Sequence, residues 1–462
     1  MSVDFKGIAN RVCLSDPIIV DPDDTDFYKL TMKAAVFKLY SDVQVEYAFT
    51  CRTPGFDFRS ILPLLRDQIT KCGELRYSEE ALTYIGALRN PEFSLSFLRF
   101  LSQERWNPLD VSTECDNEGA LHLRVAGPWL YTIDWEVWLL SIISELRTWS
   151  MSLDLRDDEL AKDIRKRQMD KLMMLRNRGY RGYRKDFGFT DFGTRRRASK
   201  SHQEQVLKFW GEEAPGYLLG TSNIYFARKL GLKVFGTHAH EWDQAHLAFT
   251  HPLNAKRVAM QRWLEVFGGD AGTTLTDTFT TRHFFTVFDK MMANAFTGVR
   301  HDSGSVYSWA EQMLQHYERL GIDPKTKTLL FSDGLNFQKM VEIYDFLRGR
   351  CRIGFGIGTN LMNDLSIPAL QIVIKMVSCN GVPVLKISDD PGKLMCEHDW
   401  LREYMLKTFE VSEEKSFDTL GRIMFSKEET TNKECTTGKE RTTSKGRSTG
   451  HEEVWNEYIV SM

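Results

Sequence analysis

Residues 235–246, FGTHAHEWDQAH, set His238, His240 and His246 close together, with Glu241 and Asp243 among them. Side chains of these types can ligate a metal, move protons, or do other chemistry that needs an imidazole. A catalytic zinc site requires three protein ligands and an open position. His238 and His240, at i and i+2, share one face if this stretch is a strand. His246 lies six residues beyond His240, which is poor spacing for a shared helix face. Taken alone, the cluster leaves its chemistry open.

Other stretches carry groups suited to anions. DFGTRRR (191–197) sets three arginines after an apolar run. Guanidinium forks match phosphate or carboxylate, and a solvated surface run is the plain alternative. In RHDSG (300–304), Arg300 and Asp302 are placed either to bind a phosphorylated sugar or to form a structural ion pair. No GxxxxGK phosphate loop is present. The glycines of RIGFGIGTN (352–360) miss the dinucleotide spacing, because Gly354 and Gly356 are followed by Gly358 and not by a glycine at 359. A short strand ending in such backbone can offer N–H groups to a phosphate or simply turn tightly.

These motifs need elements to hold them. TDFYKLTMKAAVFKLY (25–40) has helical spacing, with Thr25 or Asp26 placed to cap it. VQVEYAFTCR (43–52) and LHLRVAGPW (121–129) alternate as strands do. Residues 154–176 place Leu160, Ile164, Leu172 and Leu175 on one helix face. From about residue 185 a rhythm sets in, of short apolar runs ending in polar or glycine-rich residues. They are FGFTDFG (187–193), YLLGTSN (217–223), KVFGTHAH (233–240), TLTDTFT (274–280), FTGVRHDSG (296–304), TLLFSDG (328–334) and RIGFGIGTN. Amphipathic stretches such as WAEQMLQHYERLG (309–321) lie between several of them. This is the pattern of a parallel α/β architecture with chemistry at the strand C-termini, as an irregular β/α barrel or, second, a doubly wound open sheet.

The chain has 462 residues, of which 42% are hydrophobic and 27% charged, with a formal charge of −3. That composition is ordinary for a globular protein and offers no field for nucleic acid or an anionic membrane. Eight scattered cysteines without a CxxC pair point to reduced thiols. MSVDFKGIANRVCLSD has no apolar run of signal length, and no run approaches the roughly 18 apolar residues of a membrane span. The expectation is a soluble, cytoplasmic protein, with the nucleus also open to it in a eukaryote. SKEETTNKECTTGKERTTSKGRSTG (426–450) reads as a polar tail, with Trp455, Tyr458 and Ile459 beyond it.

Taken in order, DTDFYKL (24–30), YAFTCR (47–52), DFGTRRR, GTSN (220–223), GTHAHEW (236–242), VRHDSG (299–304), FSDGLN (331–336), LRGRCRIGFGIGTN (347–360) and VIKMVSCNGVPVLKISDDPGK (373–393) closely resemble the nicotinate phosphoribosyltransferases. These belong to the type II phosphoribosyltransferases, which include the nicotinamide-using enzyme. The resemblance runs from about residue 17 to about 425. It implies an α/β fold. Residues 1–150 would form a sandwich-like domain, 151–370 the barrel, and 371–425 a return to the first domain, with 426–462 as the tail.

The resemblance also implies an activity. Nicotinate attacks C1′ of 5-phosphoribosyl-1-pyrophosphate, coupled to ATP hydrolysis through a phosphohistidine at His240, as the first step of NAD salvage from nicotinate. His238 is left structural. Asp277 and Asp302 match residues of the reaction centre. Tyr28 and Phe192 match aromatics that sandwich the pyridine ring, with Tyr28 reaching across a dimer interface. Arg195 or Arg300 would hold the substrate carboxylate. Ser222 would donate to it where the nicotinamide enzyme has an aspartate. Arg52, Arg300, Asp302, Asp333, Gly356, Gly358, Lys375, Lys386 and Lys393 match the phosphoribosyl pyrophosphate site, with Arg52 reaching a neighbouring subunit's site. Mg2+ would accompany pyrophosphate and ATP, without confident protein ligands. A homodimer with shared sites is expected, and no nucleic acid or membrane partner. Competing readings are a nicotinamide-using enzyme, a non-catalytic binder on this scaffold, and a nucleic-acid binder using the arginine run.

Overall fold

The computed structural model describes residues 16–411, apart from 89, 91, 153–156, 181–186 and 237. The expected tail at 426–462, with its Trp455, Tyr458 and Ile459, lies outside the described residues. Eleven strands are described: β1 (Gln44–Cys51), β2 (Val111–Cys115), β3 (Leu121–Pro128), β4 (Phe189–Asp191), β5 (Leu218–Thr221), β6 (Thr273–Leu275), β7 (Gly298–His301), β8 (Thr328–Phe331), β9 (Arg352–Ile357), β10 (Ile372–Cys379) and β11 (Val382–Pro383).

They form two sheets, as the mixed α/β reading requires. The antiparallel sheet runs β11-β10-β1-β3-β2, so strands from the C-terminal part complete a sheet begun near the N-terminus. Its alternation is plain in β3, where Leu121, Leu123 and Val125 are buried while His122 and Arg124 face out. The parallel sheet runs β5-β4-β9-β8-β7-β6. Every residue of β4 and β7 is buried, the continuous burial expected of parallel strands covered on both faces. The amphipathic 309–321 stretch lies largely in the helix Val306–Arg319, which buries Trp309, Met313 and Tyr317. The expected face of 154–176 is the buried face of the helix Asp157–Asn177.

Parallel pairing puts the strand C-termini at one end. Asp191 ends β4, and Ser222, Asp277, Asp302, Asp333 and Gly358 lie just past β5, β6, β7, β8 and β9. An isolated bridge from Thr221 to Val234 extends the arc beyond β5, and among the described residues no ladder joins that segment to β6. Among the described residues the parallel sheet is thus an arc and not a closed barrel. KVFGTHAH is therefore not a strand to its end. It pairs around Val234 and leaves strand pairing by Gly236, where a Cβ would lie 2.8 Å from the backbone nitrogen of Tyr28. Ala239 becomes the N-cap, and His240 the first residue, of the helix His240–Ala245. His238 and His240 do not share a strand face.

The helix Phe27–Leu39 buries every residue from Tyr28 to Val36, including Lys29 and Lys33. Asp26 occupies its N-cap position, but the Asp26 carboxylate does not cap the helix. It is engaged by Ser222 instead. A small core of Ala255, Phe279, Leu385, Ile387, Leu401, Met405 and Phe409 anchors the segment around Lys386. Leu385 and Ile387 point into this core, which sends Lys386 between them the other way. The six described cysteines are free thiols. Among the described residues no helix is long and apolar enough to cross a membrane.

Candidate active site

A cavity of 540 Å3 opens at the strand C-termini. Tyr28, Arg52, Phe192, Arg195, Ser222, Arg300, Asp302, Asp333, Gly356, Gly358, Lys375, Lys386 and Lys393, all singled out from sequence, line it. Its charged lining is seven lysines and arginines against Asp26, Asp302 and Asp333. A cation-rich cleft in a chain of net charge −3 focuses anions locally, which the whole-molecule charge conceals.

His240 and Asp277 stand apart from that lining. His240 lines an adjoining cavity of 30 Å3, together with Tyr28, Glu136, Arg195, Glu241, Lys375 and others. Asp277, placed at the reaction centre by the resemblance, is fully buried behind His240. Its Oδ1 lies 3.0 Å from His240 Nε2, and its Oδ2 accepts from Lys386 Nζ at 2.6 Å and from Ser303 Oγ at 2.5 Å. Burial, and then the Lys386 ammonium 2.9 Å from Nε2, push the imidazole down to about 3 despite Asp277. His240 is thus a neutral ring with a lone pair to offer. Burial works against the Asp277 charge, yet Lys386 and His240 hold this carboxyl well below its usual range.

His240, Asp277 and Asp302 bring their ligand atoms within 4.8 Å of one another, close enough for a metal. Lys386 Nζ already bonds two of the three, so a side-chain cation fills the position a divalent ion would need. The other histidines of the cluster face elsewhere. The His238 ring packs on Trp263 with centroids 5.0 Å apart, and His246 bonds Tyr40 and the Trp242 carbonyl.

The arginine run is no solvated surface. Arg197 is fully buried, with both terminal nitrogens on Asp24 at 2.7 and 3.0 Å. Arg196 donates to the Ile372 carbonyl at 2.6 Å, and Arg195 to Glu136 at 2.8 Å; both line the cavity. Arg300 and Asp302 are both an ion pair, at 3.1 Å, and cavity walls. Ser332 accepts from Arg300 Nε and donates to Asp302 Oδ1, each at 2.8 Å, which fixes the pair. Lys393 spans the Asp302 carbonyl at 3.0 Å and Asp333 at 2.5 Å.

Three residues assigned roles by the resemblance have these surroundings within the single chain. Tyr28 and Arg52 line the cavity from this same chain. Phe27 N–H donates to the Ser222 carbonyl at 2.6 Å, fastening the Tyr28 helix to the end of β5, and Arg52 reaches the Lys393 carbonyl at 3.5 Å. Ser222 Oγ donates to Asp26 at 2.6 Å, so its one proton is engaged away from a substrate carboxylate. Gly356 has a steric reason beyond phosphate contact: a Cβ there would stand 2.2 Å from Phe192 Cδ2. Gly356→Ala is therefore expected to displace the Phe192 ring and lower kcat/KM for the base by about 10²-fold, as misplacement near 1 Å does. Steady-state kinetics beside a thermal melt checks this; unaltered kinetics would mean that Phe192 does not orient the base.

Sequence motifs missed the supporting residues. Glu136, the partner of Arg195, lies in a helix with no motif around it, and burial is offset by Lys29, Arg195 and Lys375 to hold it down to about 2. Ser303 and Ser388 tie the Asp277 and Lys386 loops together at 2.9 Å. Ser388 has a φ of 73°, strain of the kind that gathers at functional loops. A non-glycine in that conformation leaves no mark in the sequence.

The arrangement defines a class: an α/β protein whose cation-rich cleft joins carboxylates, aromatic walls and, beside it, a buried, carboxylate-paired histidine. Comparisons are specific. The model of the nicotinate phosphoribosyltransferase (NAPRTase) family matches residues 187–413, and that of its N-terminal domain residues 24–144. Nicotinate phosphoribosyltransferase 2 of Pseudomonas aeruginosa is 41% identical over 400 residues, covering 86% of this chain and 98% of the relative. A nicotinate phosphoribosyltransferase of Vibrio campbellii is 39% identical over 410 residues, 86% of this chain and 93% of its own. The crystal structure of nicotinate phosphoribosyltransferase from Vibrio cholerae superposes with a TM-score of 0.81 at 35% identity, over 90% of this chain and 98% of that one. The chain belongs to the nicotinate phosphoribosyltransferase family.

Proposed function

We propose that the protein transfers the phosphoribosyl group of 5-phosphoribosyl-1-pyrophosphate to nicotinate, coupled to ATP hydrolysis through a phosphohistidine at His240, at the entry of nicotinate into NAD salvage. The observation that carries the reading is one continuous cavity that joins Tyr28, Phe192 and Arg195, groups suited to an anionic aromatic base, to Arg52, Lys375, Lys386 and Lys393, groups suited to phosphates. The pyridine nitrogen attacks C1′, the C1′–N bond forms, the C1′–O bond breaks, and pyrophosphate leaves. Asp302 faces the positive charge that develops on the ribose. Arg52, Lys375, Lys386 and Lys393 balance the phosphates. Arg195, already oriented by Glu136, is the donor for the nicotinate carboxylate, and Ser222 can join it only by giving up Asp26.

In the coupled half-reaction the neutral His240 nitrogen attacks the γ-phosphorus and ADP leaves; water later releases phosphate. Asp277 stabilises the ring as it gains positive charge, as buried carboxylates do in other His–Asp pairs. Mg2+ takes substrate phosphates and one or two carboxylates, a donor set that Asp302 and Asp333 fit. It would neutralise phosphate charge there. A homodimer is retained in the proposal, while Tyr28 and Arg52 serve the cavity of their own chain.

The test is product formation from nicotinate or nicotinamide with phosphoribosyl pyrophosphate and magnesium, with and without ATP. Nicotinate mononucleotide from nicotinate alone, stimulated by ATP, supports the reading; turnover with nicotinamide would move the specificity to the other base. A pH dependence follows as well. Burial pushes the Lys375 ammonium down to about 8. Its charge is present below that pH and lost above it, so KM for phosphoribosyl pyrophosphate is expected to rise as pH passes about 8. Lys375→Arg, charged throughout, should flatten the rise in a KM-against-pH series.

A further inference from the structure

We propose that Lys29 is a positioning residue that couples the base end of the cavity to His240. The inference rests on the ATP-coupled reading above. Lys29 is fully buried, and its ammonium bonds Glu136 Oε2 at 2.8 Å and Glu241 Oε2. Each carboxylate leads to a different half of the site. Glu136 Oε1 holds Arg195 at 2.8 Å, at the base end. Glu241 directly follows His240 in the first turn of its helix, and its Oε1 is pinned by Trp129 Nε1 at 3.0 Å and Tyr47 at 3.2 Å.

An unbroken line of charge-assisted contacts therefore runs from Arg195 through Glu136 and Lys29 to Glu241 and the backbone of His240. The 30 Å3 cavity lies beside that line and is walled by Tyr28, the neighbour of Lys29, as well as by Glu136, Arg195, His240 and Glu241. A second buried lysine in the same helix gives the contrast. Lys33 also bridges two carboxylates, Glu104 and Asp134, but these line neither cavity, whereas both partners of Lys29 wall the smaller one.

Burying such charges costs desolvation that an apolar cluster would avoid, so a structural role alone is a weak reason to keep them. A phosphoryl group on His240 sets about two negative charges beside Glu241. Lys29 is the cation shared between Glu241 and the Glu136 that holds Arg195. A change in its pull on Glu241 alters its grip on Glu136, and with it the readiness of Arg195 to take a carboxylate. Coupling between such sites is typically about 5- to 150-fold in affinity.

The experiment uses the full chain with nicotinate, phosphoribosyl pyrophosphate and magnesium. It measures nicotinate KM without and with ATP, and acid-labile label from γ-labelled ATP. In wild type, ATP is expected to lower nicotinate KM by a factor in the usual coupling range. Lys29→Met is expected to take label to within about threefold of wild type while the ratio of the two KM values falls to about 1. A merely structural lysine would lower stability and leave that ratio unchanged, and an unchanged ratio in the folded variant overturns the link. If the single variant does not fold, Lys29→Gln, which keeps a donor to one carboxylate but carries no charge, is read the same way. Wild type that takes label but shows a ratio near 1 overturns the link alone. Wild type without label overturns the link together with the ATP-coupled reading.

Discussion

Asp302→Asn is expected to lower kcat for nicotinate mononucleotide formation by about 10²–10³-fold, the scale of losing one preorganised electrostatic contact in a transition state. Asp302 Oδ1 is taken up by Arg300 and Ser332, while Oδ2 is turned toward His240 at 3.8 Å. Burial opposes the charge, but Arg300 and then Lys386 keep this carboxyl ionised far below its usual range. It is therefore an anion at every working pH. Asparagine keeps the shape and an oxygen to accept from Arg300 and Ser332, so KM for phosphoribosyl pyrophosphate should move little while kcat falls. Steady-state kinetics on the variant separates the two. A wild-type kcat would remove Asp302 from the transition state and leave it a structural partner of Arg300.

His240→Ala is expected to abolish acid-labile phosphate on the protein and all stimulation by ATP, a loss of about 5- to 150-fold if the coupling is of ordinary size. Transfer without ATP should persist, since the residues around the ribose and base do not depend on the imidazole. Lys386 and Asp277 remain bonded to each other at 2.6 Å in the absence of the ring, so the variant leaves no lone buried charge. Label found on the variant would place the phosphoryl acceptor elsewhere. Because His240 is neutral down to about pH 3, labelling of the wild type should not fall away between pH 8 and 5 through protonation of the ring.

Much of this architecture could be read before any coordinates. Strand-ending residues such as Asp302 and Asp333 stood out because a parallel sheet delivers each strand C-terminus to the same end, and apolar runs mark those ends. What sequence could not supply was direction. Asp277 follows β6 as Asp302 follows β7, yet one is buried behind His240 and the other lines the cavity. Asp277 is held by Lys386, 109 positions along the chain, whereas Asp302 is held by Arg300 and Ser332. The RRR run looked like surface because adjacent arginines usually are, and Asp24, which buries Arg197, lies 173 positions away. The partner of the Ser222 hydroxyl was hidden for the same reason: Asp26 is remote in sequence and adjacent in space. KVFGTHAH was misjudged at its end because Gly236 packs closely against the backbone of Tyr28, a contact that no local pattern encodes.

The pairing of β1 with β10 has a consequence for how the molecule comes into being. Ala48 lies opposite Lys375, and the whole edge from Val45 to Cys51 waits for residues 372–379. At ordinary rates of synthesis the ribosome needs roughly 15 to 65 s to make the intervening chain. Throughout that interval β1 offers an open edge flanked by Val45, Tyr47 and Phe49, the kind of edge that recruits stray strands from other nascent chains. A message cut short before residue 372 would leave that edge open for good. Its product would be a seed for aggregation, and termination just short of residue 372 would leave the same open edge as termination soon after β1.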